Sequence, residues 1–496
     1  MRRVPLLSGS RVVLVPVRDE DVVLSPPPPP AQVADVGAAV RDALRFPLSG
    51  PSLEAVATRG GRATIVVQPP SLPVPGAQVD PRPEGLAAAM RALELAGVRN
   101  ERQTILVAGG LTRRAGQHEL ESLLPPPHAR SFRGRVLVHD TEDEGLRPLT
   151  EEARVHPEVV ATDLVLVVSA AETVLQGGPG VLVGACDAGI VRRAVVGPGP
   201  SLLEAGGTPA WRLALDVEAA LSARVPVLGV SLVLDLPRLT GAFRGYPDDL
   251  DMVRRVERSW TRTLFSRLPR ALREQILESQ SRRIDATAAF GGPPSVAHAE
   301  ALVRGVELRG TRLEEPVDAL VVGVPWIGPH RPREPTNPLT AATMGLSLGV
   351  GLHRDAPPVR EGGTLVLVHP LTRSFGPGEA PHGTMVNAMR AATDPLQLGE
   401  LEDTAASDPR SLADYRAGRT CHPLLPYADW ASCTPALTHL GRVVVAGCRD
   451  ATAARTLGFV PSHGIASALE MAHGVAGGRA RVGILLAPPY APILVG

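Results

Sequence analysis

The sequence predicts an α/β protein of two α/β domains with mainly parallel sheets. Short β-branched runs of strand length recur along the chain, Ala/Leu-rich helical stretches lie between them, and the alternation stops and restarts around an arginine-dense middle segment. A length of 496 residues points the same way, because single cores stop growing well below that size.

In chain order, Arg11 to Val17 reads as an opening strand, closed off by the proline run Pro26 to Pro30, which cannot donate backbone hydrogen bonds. Arg62 to Val67 is a strand, Pro83 to Ala96 a helix, and Gln103 to Ala108 a strand ending at Gly109 and Gly110. A helix end is expected at Pro125 to Pro127, followed by strands Arg135 to His139 and Leu164 to Ser169. From Pro247 to Gly291 the pattern becomes charged, with Leu264, Leu268, Leu272 and Ile276 at helical spacing, and predicts a helix or helical pair bridging two domains. The second alternation comprises helix Ser295 to Arg304, strand Ala319 to Val324, helix Thr340 to Leu348, strand Thr364 to His369 and helix Gly383 to Ala392. Strand Val443 to Ala446, helix Ser462 to Ala472 and strand Arg481 to Ala487 complete it. The expected division is therefore 1–290, with a helical linker from about 247, and a smaller unit 291–496 whose last strand is free to return to the first.

Composition excludes several function classes. A net charge of +0 gives no electrostatic footprint for nucleic acid or anionic membrane. Apolar runs such as Pro226 to Leu236 are strand-sized, well short of the roughly 18 residues of a membrane span. Four cysteines in so long a chain do not make a disulfide framework, and the first ten residues lack a secretory apolar core, so a cytoplasmic location is expected. All 51 Lys+Arg residues are arginine, so the chain has no side-chain amine.

Several stretches, in order, resemble the nickel-pincer lactate racemase family. They include Thr104 to Arg113 with Gln117 to Leu120, Val136 to Asp140, and Asp163 to Ser169 followed by Glu172. Pro226 to Asp235, Thr240 to Gly245, Ala297-His298, Val317 to Val322, Glu361 to Val366 and Ala480 to Leu486 continue the likeness. The resemblance implies two α/β domains with a ligand cleft between them, holding a pyridinium-derived nucleotide whose sulfurs and carbon clamp nickel. There, hydride passes from a 2-hydroxy acid to the cofactor while two histidines exchange the proton.

Carried over by position, the family's Asp-His-Thr-Arg-Pro falls on Pro69 to Pro73. Its Gly-Phe-His-Arg falls on Gly110 to Arg113, and its Glu-Ala-His on Glu172 to Val174. The cofactor-tethering lysine lands near Gly184. Thr112 and Val174 thus replace histidines, and tethering through lysine is chemically impossible in this chain. The resemblance leaves Thr112, Arg113 and Glu172 as candidate substrate contacts, Arg113 as anion anchor, and Gly109, Gly110 and Gly184 as candidate cofactor contacts. His118 and His369 are the candidates for recruited proton transfer, and the partner implied is a small carboxylate or hydroxy acid.

Other groups read two ways each. Val107 to Gly110 and Gly177 to Gly184 suit either an anion or a close-packed turn. Cys421, His422, Cys433, His439 and Cys448 offer metal ligands without the tight pairing that zinc sites show, so no metal is assigned. His369, Arg373 and His382 flank a Gly/Pro loop after a strand, and Trp326 to His330 with Arg331 and Arg333 follows another; either loop suits a ligand or solvent. The readings that remain are a divergent 2-hydroxy-acid racemase or epimerase without nickel-pincer catalysis, and a pseudoenzyme that binds a carboxylate or nucleotide.

Overall fold

The computed structural model describes residues 2–69, 77–196, 199–206, 208–326, 336–391, 398–476 and 480–496. Positions 70–73 of the first family motif and the loop 327–333 lie outside the described residues.

Two six-stranded sheets organise the chain, as the α/β reading expects. The first runs, from edge to edge, Ala286–Gly292, Val227–Leu234, Leu164–Ala170, Ala63–Val67, Gln103–Val107, Arg135–Val138. Its strands are parallel except Ala286–Gly292, which lies antiparallel to Val227–Leu234. Ala63–Val67 and the first six residues of Leu164–Ala170 are buried along their length, as strands covered by helices on both faces must be. The second sheet runs Val460–Ser462, Arg442–Ala446, Val359–Val368, Val317–Gly323, Val482–Leu485, Val22–Leu24, and is parallel throughout.

Hydrogen bonding distributes the chain less simply than a cut at 290/291. Val22–Leu24 pairs with Val482–Leu485 in the second sheet, and Ala286–Gly292 closes the first. Val482–Leu485 lies inside the second sheet, between Val317–Gly323 and Val22–Leu24.

Three local expectations need correction. Pro126 begins a helix, Pro126–Ser131, where a helix end was expected: proline is tolerated in a first turn because its missing N–H would be unpaired anyway. The arginine-dense segment forms three helices, Leu250–Arg258, Trp260–Arg267 and Arg270–Glu278, because Ser259 and Pro269 adopt extended backbone. Leu264 is 54% and Leu272 47% exposed on these helices. Finally, Thr340 to Leu348 is an α-helical turn, Pro338–Ala342, passing into a π-helix, Thr343–Leu348. Asn337 caps that turn through its side-chain oxygen, accepting from the Leu339 and Thr340 amides at 2.9 and 3.0 Å.

Candidate functional site

In an open parallel sheet, ligands bind outside the carboxyl ends of the strands where the chain order reverses. In the first sheet that point lies between Ala63–Val67 and Leu164–Ala170, and two adjoining cavities open there. A compartment of about 60 Å³ is lined by Gln68, Arg82, Ser169, Glu172 and Gln176. A larger one of about 270 Å³ shares Gln68, Pro69 and Gln176 with it. The second lobe closes the larger cavity through Thr343, Ser347 and Leu348 of the π-helix and through Leu425, Ala428, Asp429 and Ser432 of helix Leu425–His439.

Most positions implicated by the resemblance meet here. Thr112 and Val174, which the resemblance aligns with the family's two histidines, and Gly184, near which its lysine would fall, all line the larger cavity, as do Gly109 and Gly110. The glycines serve close packing. The Gly110 amide donates to the Gly184 carbonyl at 3.1 Å, Gly110 has φ +54°, and a Cβ on Gly184 would lie 2.9 Å from the Ala108 carbonyl. The Thr112 hydroxyl donates to the Gly109 carbonyl at 2.7 Å, closing the turn.

Glu172 lines the small compartment and is ion-paired with Arg309; both side chains are buried. Its Oε1 has no hydrogen-bond partner, and Arg309 also donates to the Ala171 carbonyl at 3.1 Å and the Gly305 carbonyl at 3.2 Å. Beside it, His298 is fully buried, hydrogen-bonded through Nε2 to the Thr173 carbonyl at 2.9 Å, and packed against Gly177 and Gly178. Burial pushes its pKa down to about 4, so the ring is neutral and props the 173–178 loop.

Other candidates lie elsewhere. Arg113 donates to the Gly418 carbonyl at 3.2 Å and pairs with Glu119 at 3.6 Å, tying the lobes together outside the cavity lining. His118 sits exposed on the short helix Gln117–Glu121 and lines neither compartment. His369 is buried in the second lobe, where its Nδ1 accepts from the Leu371 amide at 3.1 Å. Leu371 has φ +48°, a conformation that side chains disfavour, and this hydrogen bond supports it. Burial, with a smaller contribution from Arg270, lowers the His369 pKa to about 3, too low for a proton shuttle near neutrality. Arg373 pairs with Asp450 at 2.8 Å.

The cysteine and histidine window does not converge on a metal: among the described residues no three His, Cys, Asp or Glu side chains could hold one. His422 pairs with Glu142 at 3.0 Å, and His439 bonds the Val359 carbonyl at 2.7 Å. One constellation escaped the sequence reading. His382 Nε2 lies 3.0 Å from the Asp429 carboxylate, and the Cys421 thiol 3.7 Å from His382 Nδ1. Asp429 reaches the cavity, so this chain of titratable groups ends at its wall. His382 and Cys421 were visible as chemistry-bearing residues, but nothing in their separation of 39 positions pairs them.

The residues present do not fit a tethered nickel-pincer nucleotide. The tether needs an amine, which the chain lacks, and the described lining of both compartments offers no imidazole or thiol to nickel. Among the described residues no helix is long and apolar enough to cross a membrane.

Residues 9–176 match the lactate racemase N-terminal domain family. No curated protein matches the sequence. Among solved structures, the lactate racemase apoprotein from Thermoanaerobacterium thermosaccharolyticum is similar over 99% of this chain and 100% of its own, with a TM-score of 0.61 at 12% identity. A protein from Thermotoga maritima is similar over 93% and 97% respectively, with a TM-score of 0.50 at 11% identity. The chain thus matches the lactate racemase N-terminal domain over residues 9–176 and shares the fold of a lactate racemase along its length.

Proposed function

We propose that this lactate racemase-like protein binds a small hydroxylated carboxylate in the cavity between its lobes and does not carry out nickel-pincer racemisation. The observation that carries this reading is the cavity lining: it includes Thr112 and Val174, which the resemblance aligns with two histidines, and Gly184, near which it puts a lysine, and none of the three exchanges a proton near neutral pH. Hydroxyls from Thr112, Thr173, Thr343 and Ser347 suit a ligand rich in hydroxyl groups, and Gln68 and Gln176 supply amide donors where the compartments meet. Arg82 lies in the small compartment and is held by Asp80, its Nε 2.9 Å from both carboxylate oxygens. It gives a bound carboxylate a cation nearby.

One observation favours a second reading, an enzyme acting on a hydroxy acid without nickel. Asp429 reaches the cavity with His382 and Cys421 behind it, a relay that could move a proton. The test is to purify the protein from a host able to make the nickel cofactor, then measure bound nickel and racemisation of lactate and related hydroxy acids. The binding reading expects neither, together with thermal stabilisation by at least one hydroxy acid in a panel. Turnover without nickel supports the second reading, and stoichiometric nickel with turnover overturns both. Cytoplasmic residence is part of the same proposal, checked by fractionating the native host.

A further inference from the structure

The second sheet reverses its chain order between Val317–Gly323 and Val482–Leu485, and a separate cavity of about 560 Å³ opens at the carboxyl ends of those two strands. Its walls come from the N-terminal hairpin, the three arginine-rich helices and the loop after Leu485. Leu6, Phe243, Val256, Phe265, Leu277 and Leu486 give them a largely apolar character. Close-packed interiors contain few voids larger than one water molecule, so a space of this size is not a packing defect, and its apolar walls suit ordered water poorly.

Polar groups enter at a few points. Arg255 and Arg262 line the cavity from the helices, and Trp326 from the end of Val317–Gly323. Arg262 Nε and Trp326 Nε1 are buried with no hydrogen-bond partner, two donors with nothing to donate to. Unpaired buried donors are costly, and an anionic acceptor would relieve that cost. Over residues 250–278 arginines outnumber acids seven to four, so the field at this end of the cavity also favours an anion. The covering helices leave Trp260 75% and Leu264 54% exposed.

We infer that this cavity binds an amphipathic carboxylate, with a long alkyl chain among the apolar walls and the carboxylate at Arg262 and Trp326. This site is independent of the cavity between the lobes, so either proposal can fail alone.

The test uses the full chain and a dansyl-labelled undecanoic acid as fluorescent probe, with decanoate, decanol and acetate as competitors. Saturable probe binding is expected, displaced by decanoate at least tenfold more effectively than by decanol, and not by acetate. Arg262→Gln should remove most of the preference for decanoate over decanol. Ala242→Trp, at an exposed position on the rim, should weaken probe binding at least tenfold without unfolding the protein. Circular dichroism confirms that both variants fold. Absence of saturable binding overturns the inference, as does equal displacement by decanol and decanoate in the wild type. Probe binding unchanged in Ala242→Trp, or association only with phosphatidylglycerol vesicles and not with the monomeric probe, also overturns it.

Discussion

The two lobes place a cavity at the same topological address, the carboxyl ends of parallel strands where chain order reverses, yet differ in the polar groups that enter it. The first is lined mainly by apolar side chains with glycines and a few hydroxyls among them, and is shared between the lobes; the second is apolar too, but is entered by arginines and covered by short helices. Topology decides where a crevice opens, and side chains decide what enters it. Thr112, Val174 and Gly184, the positions to which the resemblance points, line the first cavity.

The largest expected effect separates the lobes by stability. Glu172→Ala leaves Arg309 charged and unpaired beside the first cavity, and should cost about 3–5 kcal/mol in urea unfolding. Where the variant still folds, probe binding in the second cavity should survive; loss of both together would show that the lobes do not behave as separate sites.

Acid should act on both lobes. His298 in the first and His369 in the second have folded pKa values pushed down to about 4 and about 3, so below about pH 6.5 the unfolded chain takes up protons that the folded one refuses. Stability should therefore fall as pH drops from about 6.5 towards 4, by about 1.4 kcal/mol per unit for each histidine. His298→Gln should flatten that slope in a series of urea titrations.

Gly110→Ala should cost about 1–2 kcal/mol, since its φ is positive and a Cβ would lie 3.1 Å from Val191 Cγ1. It should also weaken any ligand of the first cavity and leave the second untouched. The smallest effect is expected for Arg113→Ala, about 1 kcal/mol or less by thermal unfolding, with ligand affinity changed less than twofold, because Arg113 serves Gly418 and Glu119. A tenfold loss of affinity would restore it as an anion anchor.

Much of the fold was legible because parallel strands buried on both faces leave continuous apolar runs rich in β-branched residues, as in Ile105, Leu106 and Val107 or Val443, Val444 and Val445. The strand Val22–Leu24 was not, because three residues carry no periodicity, and its partner Val482–Leu485 lies some 460 positions away. The leucine spacing of 264–276 left a single helix and a helical pair both open, and the three helices found, two of which meet at Pro269, exceed either. Around the cavity, aligned motifs led to Thr112, Val174 and Gly184, which share its lining, since position along a motif survives a change of side chain. Isolated histidines gave no such guide: His118 lies in the open and His369 supports a strained turn. The approach of His382 to Asp429 depends on two helices docking, which no short-range pattern encodes.

The pairing of Val22–Leu24 with Val482–Leu485 has a consequence for biogenesis. A ribosome releases the first of these strands long before the second exists, so an apolar edge must wait through nearly the whole of translation. Joining ends that far apart carries a large loop-closure entropy, which makes this pairing a late step in assembly and the waiting segment a natural target for chaperones.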